Sequence, residues 1–177
     1  MKPTFQISLL IACTVWAASP AWPEAEDLQV QQTITDLAET YMSFPQTLDR
    51  HSVLRYFAPD YSYFDDAEHR SLEDMTRVLD DLEREVTRGP VSINEQISDI
   101  AVHTGGALAW ATYQDRVTIA AQGGTMDAMT LCTAIFRKTL TGWVYRHEHC
   151  SSNTLDKGAD HGELTKLARN LDRTTSK

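Results

Sequence analysis

Leu131-Cys-Thr-Ala-Ile-Phe-Arg-Lys-Thr-Leu-Thr-Gly-Trp-Val-Tyr-Arg-His-Glu-His-Cys-Ser151 consists of two alternating runs around a Thr-Gly turn. Alternation on both sides of a turn is the pattern of an antiparallel hairpin with two chemically different faces. If Leu140, Thr141 and Gly142 form a three-residue loop, Thr139 sits opposite Trp143, and Cys132 falls directly across from Cys150. Directly opposed strand residues lie within the Cα separation that a disulfide needs, roughly 4.4 to 6.8 Å. The stretch thus predicts a register, a pair of faces and a covalent link together.

The same period of two extends upstream to Val91. Strands are predicted over about 92–103, 107–121, 125–139 and 143–151, separated by Gly105-Gly106, Gly123-Gly124 and Thr141-Gly142. Before them the period is helical. Leu28, Ile34, Leu37, Ala38, Tyr41 and Met42 mark a helix over 25–43 that Pro45 ends. Leu48, Val53, Leu54 and Phe57 mark a second from about Gln46 to Phe57, followed by a short aromatic strand, Tyr61 to Asp65. Ser71 with Asp74 forms a capping-box variant opening a helix whose stripe is Leu72, Met75, Val78, Leu79, Leu82 and Val86, and Gly89-Pro90 stops it. Helices first and a long meander afterwards predict an α+β domain, with helices covering one face of a bent sheet.

Met1-Lys2, the apolar run Phe5 to Ala18 and the small residues Ser19-Pro20-Ala21 read as a secretory signal over residues 1–21. The run is shorter than the ~20 residues of a bilayer-spanning helix. A bacterial lipobox at Leu10-Ile11-Ala12-Cys13, which would lipidate Cys13, is the competing reading. The expected location is periplasmic or secreted, without membrane attachment unless Cys13 is lipidated. The remaining chain divides into a domain over 22–152 and a polar tail over 153–177, where Leu164, Leu167, Ala168 and Leu171 carry a faint helical pattern. Sixteen basic residues against 25 acidic ones give a formal charge of −9, and removal of Lys2 with the signal deepens it by one. An acidic chain without a basic stripe argues against nucleic acid as a partner. Export leaves Cys132 and Cys150 as the only cysteines. They would pair in an oxidising compartment, or remain two buried thiols in a reducing one.

The order helix, helix, Val53-Leu-Arg-Tyr-Phe-Ala-Pro-Asp-Tyr-Ser-Tyr-Phe-Asp65, helix and meander, ending in Gly142-Trp143 with His147-x-His149-x-Ser151, resembles the nuclear transport factor 2-like superfamily. Within it, the sequence is most similar to the SnoaL-like group. The resemblance spans about Leu28 to Ser152. It implies a cone-shaped, cystatin-like roll: a curved, mostly antiparallel sheet over about three helices, with a pocket on the concave face and frequent dimerisation through the convex one. Fold alone does not fix function in such a superfamily.

Sorted by parity, Val144, Arg146, Glu148 and Cys150 share a face with Phe136, Ala134 and Cys132, and with Trp110, Thr112, Gln114 and Arg116 of the strand before. By resemblance to related association domains, that face is the pocket side. The expected pocket therefore holds Arg146, Glu148 and Gln114, walled by Trp110, Phe136, Tyr56, Tyr41 and Phe57. Trp143, Tyr145, His147 and His149 fall on the opposite face, where the resemblance implies a dimer interface. Arg146 and Glu148 are two apart on one face and would either serve a common ligand or form a structural ion pair. His147 and His149 lack a third metal ligand at a suitable spacing, so neither metal nor cofactor is expected.

No catalytic residue is assigned; Glu148 and Asp65 are the candidate bases, with Asp66 and His69 nearby. The chain lacks the full Tyr and Asp set of a steroid isomerase and the His and Asp set of a dehydratase. It has neither a nucleophile elbow nor a phosphate-cradling glycine loop. The expected function is an exported homodimer that binds a small, partly apolar molecule. The alternative is a small isomerase or lyase using a pocket carboxylate as general base.

Overall fold

The computed structural model describes residues 25–65 and 68–152. The predicted signal, Asp66 and the polar tail lie outside the described residues. The elements run α1 (Ala25–Thr47), α2 (Arg50–Leu54), β1 (Phe57–Asp65), β2 (Glu68–Ser71), α3 (Leu72–Arg88), β3 (Ser92–Gly105), β4 (Leu108–Ala121), β5 (Gly124–Thr139) and β6 (Gly142–Ser152). They build one six-stranded sheet in the order β2-β1-β6-β5-β4-β3. The pairs from β3 to β6 are antiparallel hairpins, whereas β1 runs parallel to β6. The α+β fold expected from the sequence is present, with a mixed sheet.

Helix α1 continues two residues beyond Pro45. Proline removes one N–H and disfavours helix in its predecessor, but near a helix end this costs little. The chain then turns at Leu48, whose φ is 52°, and its N–H donates to the Phe44 carbonyl at 2.8 Å. The expected second helix is correspondingly short. Asp49 caps it by accepting from the Ser52 N–H at 3.2 Å, and β1 begins at Phe57, earlier than the Tyr61 predicted. The capping box of α3 is present: Asp74 accepts from the Ser71 N–H at 2.8 Å and from its hydroxyl at 2.9 Å.

One face of the sheet is covered by helices. Val30, Ile34 and Phe44 of α1, Val53 of α2 and Leu79 of α3 are buried with Ile93, Ala109, Ala111, Tyr113, Cys132, Ala134, Phe136, Trp143 and Tyr145 from the strands. Helix α1 lies mainly along β3. Strand β3 is broken by a bulge at Asp99 and Ile100, where Asp99 has φ 52°. A bulge adds a bend and extra twist to its strand.

The hairpin register is decided by two departures from the expected geometry. Gly142, with φ 134°, allows a two-residue turn, so Thr139 pairs with Gly142 rather than with Trp143. Arg146 is then an extra residue in β6, between the pairs Phe136–Tyr145 and Ile135–His147. The two departures cancel beyond the bulge, and Cys132 does pair with Cys150. Between turn and bulge they do not cancel. Trp143 and Tyr145, expected on the outer face, instead point inward and are 4% and 2% exposed.

Candidate functional site

Glu148 sits on the inner face of β6, opposite Ala134 of β5 and beside Tyr63 of β1. Tyr61 donates its hydroxyl to Glu148 Oε2 at 3.0 Å, and Tyr113 donates to Oε1. Burial pushes the Glu148 pKa up, against the two tyrosine hydrogen bonds, which pull it down. Tyr61, Tyr113 and Tyr145 are pushed up as well, by burial first and then by the Glu148 charge. All three therefore remain neutral beside the carboxyl group, and Tyr61 and Tyr113 donate to it.

Two more carboxyls point to the same side. Ile93, Glu95 and Ile97 occupy the inward row of β3, and Tyr113, Asp115 and Val117 that of β4. Asp115 pairs with Ile97 and Val117 with Glu95, so the two carboxyls are diagonal neighbours, a relation that places Cα atoms about 7–8 Å apart. Burial, followed by the charges of Asp115 and Glu148, pushes Glu95 up to about 8. Asp115 is pushed to about 6, by burial and then by Glu148. Glu95 Oε2 and Asp115 Oδ1 are buried atoms with no hydrogen-bond partner among the described residues. The Tyr41 hydroxyl, from α1, belongs to the same electrostatic cluster and is raised by burial, then by Glu95. The arrangement is thus a tyrosine-lined acidic recess in which burial keeps the Glu95 carboxyl protonated at neutral pH, and in which one oxygen each of Glu95 and Asp115 lacks a hydrogen-bond partner among the described residues.

Several expected pocket residues lie elsewhere. Trp110 pairs with Ile135 and Gln114 with Leu131 on the outer face, because the two-residue turn Gln122-Gly123 shifts β4 by one residue against the expected register. Trp110 stacks on His103, with ring centroids 4.2 Å apart. Arg146 is directed away from Glu148 by its bulge and binds Asp60, Nε to Oδ2 at 2.9 Å; Arg137 takes the other oxygen at 3.1 Å. The expected association of Arg146 with Glu148 is therefore replaced by an Arg-Asp-Arg clamp at the start of β1. The Tyr56 hydroxyl accepts from Arg55 at 2.9 Å at the rim. Phe136 is fully buried in the inner face, as expected.

His147 and His149 lie on the outer face, opposite Ile135 and Thr133. The His147 Nδ1 is 2.9 Å from Ser62 Oγ, and burial pushes the ring's pKa down. His69, His147 and His149 surround Phe64, with ring centroids 5.0, 5.6 and 6.4 Å away. Asp65 pairs with Cys150 at the end of β1. Cys132 and Cys150 form a disulfide. Sequence reasoning missed Glu95 and Asp115. Their signal was a carboxylate in an otherwise apolar alternating row, visible only once the inward parity is assigned correctly.

A six-stranded sheet curved over helices, with polar groups gathered on its concave side, defines an α+β cone of the nuclear transport factor 2-like class. The SnoaL-like domain model matches residues 30–154, and the chain belongs to that family. A comparison with curated proteins finds no match. A protein of unknown function from Mycobacterium tuberculosis superposes with a TM-score of 0.62 at 18% identity, covering 85% of this chain and 95% of the other. The CaMKII hub of S. rosetta gives 0.58 at 19% identity, over 76% and 100%. A nuclear transport factor 2-like protein with a cystatin-like fold from Novosphingobium aromaticivorans gives 0.52 at 16%, over 75% and 88%. At these identities the likeness is one of fold.

Proposed function

We propose that this protein is an exported module that binds a small, partly apolar molecule on the concave side of its sheet. The observation that carries this reading is the pair of buried, unpartnered carboxyl oxygens on Glu95 and Asp115 beside the tyrosine-bound Glu148. A buried polar atom without a partner costs free energy, and a ligand donor placed there would recover it, while the neighbouring tyrosine rings supply apolar contact. The disulfide supports an oxidising location, periplasmic or secreted. No helix among the described residues is long and apolar enough to cross a membrane. The exposed outer face, with Trp110, Leu131 and Ile135, supports a homodimer, and one structural neighbour is a hub domain.

A second reading, an isomerase or lyase, is favoured by one specific observation: Asp115 and Glu95 titrate near 6 and 8, the range in which a carboxyl group serves as general acid or base near neutrality. The base would then be one of these two rather than Glu148 or Asp65, and a tyrosine hydroxyl would stabilise an oxyanion.

Extraction of the purified protein followed by mass spectrometry tests the binding reading. A stoichiometric small molecule is expected, and a Glu95→Gln, Asp115→Asn variant that remains folded should retain less of it. Equal retention by the variant would remove the site. Incubating the loaded protein in deuterium oxide tests the second reading: solvent deuterium at a carbon next to a carbonyl identifies a proton-transfer enzyme, and an unchanged ligand mass leaves binding alone.

A further inference from the structure

The disulfide and the acidic recess meet. One ligand atom each from Cys132, Glu148 and Cys150 lies within 4.8 Å of the others. The cysteines are directly opposed on β5 and β6, with Cα atoms 4.2 Å apart, and Glu148 precedes Cys150 by two residues on the same face. We propose that reduction of the Cys132–Cys150 bridge converts this trio into a binding site for a zinc-type divalent cation.

The geometry suits that ion. Zn–S bonds of about 2.3 Å and Zn–O bonds of about 2.1 Å, arranged tetrahedrally, place ligand atoms roughly 3.6 to 3.8 Å apart. The three atoms already fall inside the 4.8 Å limit, and two sulfurs freed from their bond separate by rotation about their Cα–Cβ bonds. Glu148 is already oriented by Tyr61 and Tyr113, each taking one carboxyl oxygen. Held in this way, it would lose little freedom on binding metal, which is the usual effect of groups behind the ligands. Thr130 Oγ1 lies 3.5 Å from Cys132 Sγ, where its hydroxyl can support a thiolate. Glu95 and Asp115 place two further carboxyl groups on the same inner face. Three protein ligands leave a fourth position for water or a bound molecule, as in catalytic zinc sites.

The bridge masks the site because thiolates, not disulfide sulfurs, are the metal ligands. A dithiol reductant opens it by thiol–disulfide exchange: the reductant becomes a cyclic disulfide, and the protein gains two thiols. Zinc then displaces one proton from each thiol, and also the Glu148 proton where one is held.

The test uses the whole protein, reduced with a dithiol and moved into metal-free, oxygen-free buffer. Cobalt(II) replaces zinc as the probe, since thiolate-to-cobalt charge transfer reports sulfur ligation directly. One equivalent should develop that absorption in the reduced protein and none in the oxidised protein. Zinc should displace cobalt and raise the thermal midpoint of the reduced form only. Glu148→Gln should weaken cobalt binding at least tenfold, and Cys150→Ser, which keeps the carboxylate, should lose most of the charge-transfer intensity. If reduction unfolds the chain, zinc should restore its circular dichroism, because metal binding then drives folding. Absence of the charge-transfer band, equal affinity in Glu148→Gln, equal zinc stabilisation of the oxidised form, or a reduced chain that stays unfolded with zinc would each overturn the site. None of these readouts involves a small organic ligand, so their failure leaves the proposed function standing.

Discussion

The two faces of β4 and β5 belong to the same residues in alternation, yet they solve different problems. Inward, Ala109, Ala111, Tyr113, Cys132, Ala134 and Phe136 are all buried. Outward, Trp110, Leu131 and Ile135 remain 46%, 48% and 39% exposed. Small alanines on the inner face alternate with Tyr113 and Phe136, and the carboxyls of Asp115 and Glu148 lie on the same side. Among the described residues no helix covers the outer face, and its large apolar groups are interspersed with threonines and histidines. The inner face thus carries the core and its buried polar groups, whereas the outer face leaves large apolar side chains exposed.

The comparison is broken most forcefully at Phe136. It is fully buried against Tyr145, with ring centroids 4.5 Å apart, so Phe136→Ala should cost about 3–5 kcal/mol in chemical denaturation. An outcome under about 1 kcal/mol would mean that the inner face is not the core. Reduction of the disulfide comes next. It closes a sequence separation of 18, and its loss in metal-free buffer should lower unfolding free energy by about 3 kcal/mol on the chain-entropy account. An unchanged midpoint would contradict this.

The third effect is a pH slope. Glu95 is raised from 4.5 to about 8, so the folded chain keeps a proton that the unfolded chain releases. Its contribution favours folding most below the unfolded value and is lost as pH rises from 4.5 through about 8. Asp115 adds the same sign between 3.8 and about 6. The urea midpoint should fall from pH 5 to pH 8, and Glu95→Gln should flatten it; an identical slope in that variant would exclude Glu95 as the source. The smallest effect belongs to the outer face. Ile135→Ser should change monomer stability by no more than about 0.5 kcal/mol while weakening self-association in sedimentation. A large loss of stability with unchanged association would reverse the roles of the two faces.

Much of the fold was legible because its signals are local. Alternation located β3 to β6 within a few residues, and Ser71 with Asp74 marked the start of α3. The cross-strand cysteines were also legible, although through two errors that cancelled. Facing was harder, because a one-residue slip sends every side chain to the other side. The two-residue turns after Thr139 and Ala121 and the bulge at Arg146 each impose such a slip. None has a composition signal strong enough to be read in advance. The bulged Arg146 finds its partner in Asp60, 86 residues earlier, and Trp110 faces outward because of where a hairpin closes. The acidic recess followed from the same parity and was hidden with it.

The parallel contact between β1 and β6 constrains the order in which this chain can assemble. Ser62 needs His147 as its strand neighbour, so the amino-terminal third cannot complete its sheet pairing while the carboxyl-terminal hairpin is still being synthesised. The meander from β3 to β6 consists of sequential hairpins that pair chain neighbours, but β1 must wait for β6. Long-range pairing of this kind slows folding, which keeps a nascent chain open for longer. A polypeptide delivered through a narrow conduit would emerge with its first strand able to pair only with β2, and would close the other edge of that strand only after its last strand had followed it out.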